Sequence, residues 1–352
     1  MADKVRFATV GLGMGRERAK ICAETEGAEL VAICDVWEDR IKSIQKELKV
    51  EIERDFERLL ERKDIDVIGI WSPSGMHSSM AVQALDAGKH VCVTKPMDIR
   101  TSICDEAIKK ADDKGLVLAV DFDSRYNPVN HRIRSAMDSG AIGQVIFGDL
   151  RMKWFRSQSY YDSGMPEAWR SSLATEGGSL ANQAVHFLDL LQWWIGPIVK
   201  VTGKKGTFKH DIDTEDGTVS ILETKSGAYA TVLTTTCSFP NIGTSIEISG
   251  TEGTLSWRDQ DIELFQAMYV PKALGGDGTY VLPENRDKPD AVDLSIEDFE
   301  APNNLPGNII EDMVQAVRDG GKVVCDGREG RKSVAVFEAV YASSDRDAWV
   351  SV

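Results

Sequence analysis

The sequence is short of the residues that mark secreted, membrane-spanning or zinc-binding proteins. It has six cysteines and five histidines, with no C-x-x-C pair and no histidine spacing typical of a zinc site. No run of eighteen apolar residues occurs, and the first ten residues lack the apolar core of a signal peptide. We therefore expect a soluble protein of the reducing cytoplasm, with free thiols and no metal.

Basic residues are also in deficit. Lysine and arginine number 41 against 56 aspartates and glutamates, which gives a formal net charge of -15 at pH 7. A surface of this sign repels phosphate backbones and anionic lipids, so nucleic acids and membranes are poor candidate partners. We expect a small-molecule partner, and any anion must be held by local dipoles and not by the overall charge.

The 352 residues exceed the usual size of one hydrophobic core, which indicates two domains. In the first part, short apolar runs alternate with amphipathic helices, a pattern typical of an α/β domain with a doubly wound parallel sheet. The predicted strands are Val5–Val10, Leu30–Cys34, Val67–Trp71, His90–Thr94 and Leu116–Val120.

The pattern changes after Asp123. Strands joined by hairpins indicate an α+β domain with a mostly antiparallel open sheet. The predicted strands are Gln144–Phe155, Val219–Leu222, Ala228–Phe239, Ser245–Ser249 and Thr254–Trp257, and the predicted closing helices lie near Asn308–Asp319 and Glu329–Ser344. The segment Gln266–Gly307 is interpreted as an extended excursion without an assigned role. We place the first domain at 1–123 and the second at 124–352.

A glycine cluster, Gly11-Leu12-Gly13-Met14-Gly15, joins the first strand to the first helix. Glycine permits a tight turn there and lets backbone N–H groups approach a pyrophosphate at the helix N-terminus. The fit to G-x-G-x-x-G is imperfect, because Arg16 stands at the third glycine position. A purely structural glycine turn is the alternative.

Asp35 supports a dinucleotide site, because it ends the second strand twenty residues after Gly15. A carboxylate there can accept hydrogen bonds from the hydroxyls of an adenosine ribose and repels a 2′-phosphate. We therefore expect NAD in preference to NADP, although Arg40 nearby could accept a phosphate. The alternative is an N-cap aspartate for a helix over Trp37–Leu48.

Three later segments complete an ordered set of motifs. They are Trp71-Ser72-Pro73-Ser-Gly-Met-His77, Thr94-Lys95-Pro96, and Gly177-Gly-Ser-Leu-Ala-Asn182-Gln-Ala-Val-His186-Phe-Leu-Asp189. Together with Gly11–Gly15 they resemble the glucose-fructose oxidoreductase/inositol dehydrogenase/rhizopine catabolism (Gfo/Idh/MocA) family of sugar and cyclitol dehydrogenases. The resemblance runs nearly end to end and includes Trp169-Arg170.

This resemblance implies an N-terminal Rossmann domain and an oxidoreductase that transfers hydride between NAD and a secondary alcohol or ketone. The substrate would be a sugar, a glycoside or a cyclitol. The implied cofactor-binding residues are Gly11, Leu12, Gly13, Met14, Asp35, Ser72, Pro73, His77, Thr94 and Lys95.

Lys95 is the predicted proton acceptor. Oxidation of a secondary alcohol needs a base within hydrogen-bond reach of the hydroxyl, and Lys95 follows a parallel strand at the edge where such sheets bind ligands. Partial desolvation would lower its pKa. The resemblance adds His186 as its partner. An ordinary surface lysine before a turn proline is the alternative.

Asn182, His186 and Asp189 are spaced to form one polar stripe on an otherwise apolar helix, which suggests a cavity for a polar ligand. The alternative is a core histidine hydrogen-bonded to Asp189. The sequence departs from the family pattern twice: Thr94 replaces a usual glutamate, and Asn182 replaces a frequent aspartate. Because asparagine cannot accept a proton at neutral pH, we assign proton transfer to Lys95 and His186, and orientation of the substrate to Asn182.

The remaining candidate substrate residues are aromatic, basic or polar. Guanidinium groups and ring faces suit sugars, although each side chain could equally pack between the domains. They are Arg125, Tyr126, Trp169 and Arg170, together with Asn182 and Asp189. A further concentration at Trp154, Arg156, Tyr160 and Tyr161 suggests a substrate loop.

Other functions stay open at this point. NAD could remain bound while transient oxidation assists epimerisation or glycoside cleavage, or the chain could be a regulator that binds NAD and sugar without catalysis. The fold also allows biliverdin-type or dihydrodiol reduction. Since relatives associate through the open sheet, we expect a homodimer or homotetramer, with Thr231–Thr236, Ile246 and Ile248 on the contact face.

Overall fold

The computed structural model describes residues 4–164, 166–259, 261–268 and 291–352. Its first part is a parallel sheet, as predicted, and this sheet has six strands. The strands are β1 (Val5–Val10), β2 (Ala28–Cys34), β3 (Glu51–Glu53), β4 (Val67–Ile70), β5 (His90–Thr94) and β6 (Leu118–Asp121). The helices between them are α1 (Gly15–Glu24), α2 (Glu38–Gln45), α3 (Phe56–Glu61), α4 (His77–Asp86) and α5 (Thr101–Lys114). The central strands are mostly apolar because helices cover both faces of the sheet.

The strand order β3-β2-β1-β4-β5-β6 reverses direction between β1 and β4. All strand pairs in this sheet are parallel, so their carboxyl ends meet at one edge. Open α/β sheets bind ligands in the crevice at such a reversal. The fold therefore brings the turns after β1, β2, β4 and β5 to a common site.

The second part is a nine-stranded sheet in the order β14-β13-β12-β11-β7-β10-β9-β8-β15. Its strands are β7 (Val145–Lys153), β8 (Ile198–Gly206), β9 (Gly217–Thr224), β10 (Tyr229–Thr235), β11 (Gly243–Gly250), β12 (Gly253–Arg258), β13 (Asp261–Met268), β14 (Ala291–Asp293) and β15 (Val350–Ser351). Among the described strand pairs of this second sheet, only β7–β10 is parallel, which confirms the prediction of a mostly antiparallel sheet.

Five further helices belong to the second part of the chain: α6 (Pro128–Ser139), α7 (Gln158–Asp162), α8 (Val185–Ile195), α9 (Ile309–Asp319) and α10 (Gly327–Arg346). Helix α8 packs on one face of the second sheet, where Trp194 and Trp257 lie with their ring centroids 6.1 Å apart. None of the helices in the described ranges is both long and apolar enough to cross a membrane.

The residues on the exposed face of the second sheet are not those that were predicted to lie there. Ile246 and Ile248, expected on a subunit contact, are 0% exposed. Because side chains alternate along a strand, these residues point into the core. The open face instead presents the exposed apolar side chains of Phe147, Val219, Ile221 and Tyr229; Phe147 pairs with Tyr229, whereas Ile221 pairs with Thr231.

Helix α9 packs against the first sheet, although the predicted boundary at 123/124 placed it in the second domain. Ile309, Ile310 and Met313 form one hydrophobic cluster with Val5 and Phe7 of β1. The first domain is therefore completed by residues from the far end of the chain. Within the predicted excursion, β14 and a 3-10 turn at Ile296–Asp298 are ordered elements, and residues 269–290 lie outside the described residues.

Candidate active site

The turn after β1 has the geometry of a phosphate-binding loop. Gly11 has φ +83°, and a Cβ atom there would lie 2.5 Å from the carbonyl oxygen of Trp71. A Cβ on Gly15 would lie 3.1 Å from Trp71 Cβ, so Gly15 supplies the close helix–strand approach that Arg16 cannot. The backbone N–H groups of Gly13 and Met14 donate to no acceptor among the described residues, so donors at the N-terminus of α1 fit a pyrophosphate.

Asp35 joins this loop to the turn after β2. It is 7% exposed, and its two carboxylate oxygens accept hydrogen bonds from Leu12 N at 2.6 Å and Trp37 N at 2.7 Å. Arg40 Nη1 lies 3.8 Å from the same carboxylate, and its guanidinium stacks over the Trp37 ring. An ionised carboxylate has capacity for further donors, so this position suits ribose hydroxyls.

His77 does not have the position expected of a cofactor ligand. It is 1% exposed, and its ring nitrogens lie 2.7 Å from the carbonyl oxygens of Ser72 and Pro96. Contrary to the prediction, the ring is too deep to touch a cofactor. It fastens the loop after β4, including Ser72 and Pro73, to the segment that carries Lys95.

Lys95 leaves the carboxyl end of β5 and reaches the second domain. Its Nζ donates to the backbone oxygen of Asn182 at 2.7 Å and lies 3.4 Å from Asn182 Oδ1. Burial lowers the pKa of Lys95, the carboxylates of Glu176, Asp123 and Asp121 oppose this, and Arg156 reinforces it. Thr94, where the family often has glutamate, is half-buried beside it and pairs with Asp121 of β6.

Glu176 is a site residue that the sequence reasoning missed. It is 2% exposed, and its carboxylate accepts hydrogen bonds from Ser74 Oγ at 3.0 Å, Gly177 N at 3.0 Å and Asn182 Nδ2. Burial raises the pKa of Glu176, and the hydrogen bond from Gly177 and the charge of Lys95 oppose that rise. The available signal was an acidic residue directly before the glycine pair, six positions ahead of Asn182.

The predicted polar stripe is divided in the structure. Residues Ser179–Gln183 form a π-helical turn before α8 begins, which directs Asn182 towards Lys95 and Glu176. His186 is half-buried, its ring packs edge-on against Phe122, and its Nδ1 is buried with no partner among the described residues. Burial and the charges of Lys95 and Arg18 hold the pKa of His186 well below its usual value. A neutral imidazole can accept a proton.

Asp189 turns away from this group. It is 0% exposed, and its two oxygens accept hydrogen bonds from Arg125 Nε at 2.6 Å and Nη2 at 2.9 Å. Tyr126, 7% exposed, donates to Asp312 on α9. These three side chains are enclosed and bonded to protein groups: Arg125 and Asp189 pair with each other, and Tyr126 bonds α9, so their geometry does not favour the predicted substrate contact.

A small pocket lies beside Asn182. Its lining residues are Tyr160, Tyr161, Arg170, Glu176, Gly178, Asn182 and Gln183. Gln183 Nε2 donates to Tyr160 Oη at 2.8 Å and Asn182 Oδ1 at 2.9 Å. Trp169 is half-buried with the Arg170 guanidinium over its ring. A larger groove between α5 and residues 321–329, at the amino-terminal end of β6, contains none of the predicted site residues.

One cluster of possible metal ligands occurs among the described residues: His210, Asp216 and Cys237. The Asp216 carboxylate accepts backbone N–H groups of Phe208, Lys209 and His210, and the His210 ring bonds Asp216 and Arg156 O. These hydrogen bonds account for the cluster without a metal ion.

The glycine turn at the sheet reversal and the buried lysine at a neighbouring strand end define a dinucleotide-dependent oxidoreductase of two domains. Residues 5–122 match the oxidoreductase family with an NAD-binding Rossmann fold, and residues 130–256 match the GFO/IDH/MocA C-terminal domain. The chain therefore belongs to the GFO/IDH/MocA family, as the motifs indicated.

Similar proteins include dehydrogenases of small polyols. D-apiose dehydrogenase of Paraburkholderia graminis is 25% identical over 97% of this chain and 88% of its own length. The scyllo-inositol 2-dehydrogenase (NAD(+)) of Bacillus subtilis is 27% identical over 76% of this chain and 78% of its own. The WlbA dehydrogenase of Bordetella pertussis, solved with NADH and UDP-GlcNAcA, aligns with a TM-score of 0.84 at 26% identity over 99% of both chains.

Proposed function

We propose that this oxidoreductase interconverts a secondary alcohol and a ketone on a sugar, glycoside or cyclitol, with NAD as the hydride carrier. The observation that carries the proposal is the Lys95–Asn182 contact, which joins the cofactor-binding edge of the first sheet to the second domain at 2.7 Å. His186 lies close enough to Lys95 for the lysine charge to lower the pKa of its imidazole.

Cofactor binding, proton transfer and substrate orientation are carried out by different residues of the site. The turn Gly11–Gly15 and Asp35 would hold the dinucleotide, and NAD supplies a ring that accepts or returns hydride. Neutral Lys95 removes the hydroxyl proton, which His186 can share. Asn182 Nδ2 is fixed by Glu176, so its Oδ1 faces Lys95 and can orient the reacting hydroxyl. Partial enclosure keeps water from competing for these contacts.

The first experiment is NADH absorbance with purified protein, NAD or NADP, and a panel of sugars, sugar acids, glycosides and cyclitols. Turnover is expected with NAD and should fall at least about a hundredfold in Lys95→Met, because general base catalysis contributes on that order. Lys89→Met is the matched control, since Lys89 is a buried lysine that binds the carbonyls of Arg62 and Ile65 before β5 begins. A silent panel from protein that binds NADH would overturn the proposal and favour a redox-neutral reaction or a regulator.

The preference for NAD over NADP depends on Asp35. In Asp35→Ser the repulsion of a 2′-phosphate is removed while Arg40 remains to attract it. We expect kcat/KM for NADP relative to NAD to rise roughly tenfold or more. Asp35→Ser combined with Arg40→Gln should lose that gain, and an unchanged ratio in the single variant would show that Asp35 does not select the cofactor.

We also propose a homodimer or homotetramer that associates through the open face of the second sheet. The exposed apolar side chains of Phe147, Val219, Ile221 and Tyr229 on neighbouring strands of this face support the proposal, since exposed apolar groups that cluster often mark an interaction surface.

A further inference from the structure

Two arginines near Lys95 differ from the others in how their charge is balanced. In the described ranges, each of the other arginines that is at least partly buried forms an ion pair with a carboxylate. Arg156 and Arg170 are half-buried, and neither has a carboxylate partner among the described residues. In a chain with a formal net charge of -15, carboxylates are abundant, so this lack of pairing is specific to the site.

Both guanidinium groups bond neutral oxygen atoms only. Arg156 donates to Phe155 O at 3.1 Å and Gln183 Oε1 at 2.8 Å, and Arg170 donates to Ser163 O at 3.1 Å. These contacts satisfy part of the hydrogen-bonding capacity but leave the charges uncompensated. Since a partly buried charge is costly without a counter-charge, the arrangement fits a site that an anion completes.

The two cations pack near the same aromatic ring, and Arg170 lines the pocket beside Asn182. Their guanidinium carbons lie 5.4 Å (Arg156) and 4.8 Å (Arg170) from the centroid of the Tyr160 ring. Tyr160, Arg170 and Gln183 line the pocket beside Asn182, and Gln183 connects Arg156 to Asn182 through its amide. An anion held here would lie next to the proposed reacting hydroxyl.

Glu176 supplies the one carboxylate among the residues that line this pocket, and it does not neutralise Arg156 or Arg170. Glu176 directs its oxygens to Ser74, Gly177 and Asn182, and it forms no ion pair with either arginine. The positive charge of Arg156 is instead felt by Lys95, whose pKa it lowers.

We propose that Arg156 and Arg170 form an anion subsite of the substrate pocket, and that the substrate is an acidic sugar or cyclitol carrying a carboxylate or phosphate. This inference rests on the proposed function, because it assigns the pocket to the substrate. Guanidinium forks bind both anions with two parallel hydrogen bonds. A cofactor phosphate has the same chemistry, so the test must separate the two sources.

The test is calorimetric titration of the NADH-bound protein with matched pairs of ligands: glucose and glucuronate, galactose and galacturonate, and glucose and glucose 6-phosphate. The wild type should bind the acidic member of at least one pair more tightly. In Arg156→Gln and Arg170→Gln, the ratio of acidic to neutral affinity should fall about tenfold. Arg156→Lys and Arg170→Lys should retain part of it, since the charge remains.

Arg134→Gln is the control, because it removes an arginine that is paired with Asp138 on α6. An acidic preference absent from all three pairs would overturn the proposal. Weaker NADH binding in the Gln variants, with the acid-to-neutral ratio unchanged, would overturn it in favour of a cofactor phosphate. Because binding is measured without turnover, the ratio of acidic to neutral affinity could still be interpreted if the proposed reaction were not observed.

Discussion

Lys95 is surrounded by charges of both signs, and their balance sets the pH at which it can accept a proton. The lysine must be neutral to act as a base, so activity should rise with pH through its pKa. Glu176 acts on it with a negative charge, as do Asp121 and Asp123, whereas burial and the positive charge of Arg156 lower its pKa. An opposite charge stabilises the ammonium and raises the pKa of Lys95.

Glu176→Gln should therefore move the ascending limb of the kcat/KM–pH profile to lower pH, by about one unit. Glutamine can still accept the hydrogen bonds from Ser74 and Asn182 through its one amide oxygen, so the variant removes the charge and keeps these two contacts, while its amide nitrogen would face Gly177 N–H. Glu215→Gln is the control: Glu215 is also a buried carboxylate, bonded to Ser179 and Leu180, and it is not among the groups that shift Lys95. A limb that stays in place in Glu176→Gln would contradict this account.

The position of Glu176 also shows where sequence reasoning stopped. Lys95 could be proposed because a lysine after a parallel strand lies at the ligand-binding edge. The effect of Glu176 on Lys95 could not be proposed, because residues 95 and 176 come near each other only when the two domains pack together, and no spacing in the sequence reports that proximity. The ion pair of Asp189 with Arg125 was also missed, since the two residues are remote along the chain.

Among the secondary-structure elements, the long buried ones were predictable and the short or polar ones were not. The strand His90–Thr94 matches its prediction because its three central residues, Val91, Cys92 and Val93, form a buried apolar run. Strand β3 reads Glu-Ile-Glu and β8 carries three lysines, so neither shows a clear apolar pattern. The π-helical turn before α8 was also missed, because it changes side-chain directions without changing composition.

Helix α8 is joined to the turn that follows β6 by the buried pair Arg125–Asp189. In Asp189→Ala the guanidinium would remain buried, with only Glu329 at 3.7 Å to compensate it. We expect the free energy of unfolding to fall by about 3–5 kcal/mol, measured by urea denaturation. Asp138→Ala removes an exposed ion pair within α6 and should cost less than about 1 kcal/mol. Equal costs for the two variants would show that the buried pair stabilises the fold no more than an exposed pair does.

At the scale of the whole molecule, the two sheets differ in how many of their faces are exposed to solvent. The first is covered by helices on both faces, whereas the second has one face covered and one open. The open face carries Ile221, 42% exposed, among its exposed apolar side chains. An interface there would bury Ile221 away from water.

Ile221→Lys should therefore shift the protein towards monomer in sedimentation velocity at micromolar concentration, because a charge would be desolvated in the interface. Asp113→Lys, an exposed charge change on α5, should leave the association state unchanged. A wild-type protein that sediments only as a monomer would refute the proposed association, and an oligomer unaffected by Ile221→Lys would place the interface elsewhere.

The return of α9 to the first sheet has a consequence for how such chains can be recombined. The apolar surface of β1 is matched to Ile309, Ile310 and Met313, which are encoded almost at the other end of the sequence. In a hybrid that took residues 1–123 from a relative, α9 of this chain would have to pack against the first sheet of the relative. The first domain is thus encoded by two separate stretches of sequence, the N-terminal residues and α9. An exchange of this domain between relatives must transfer both stretches together.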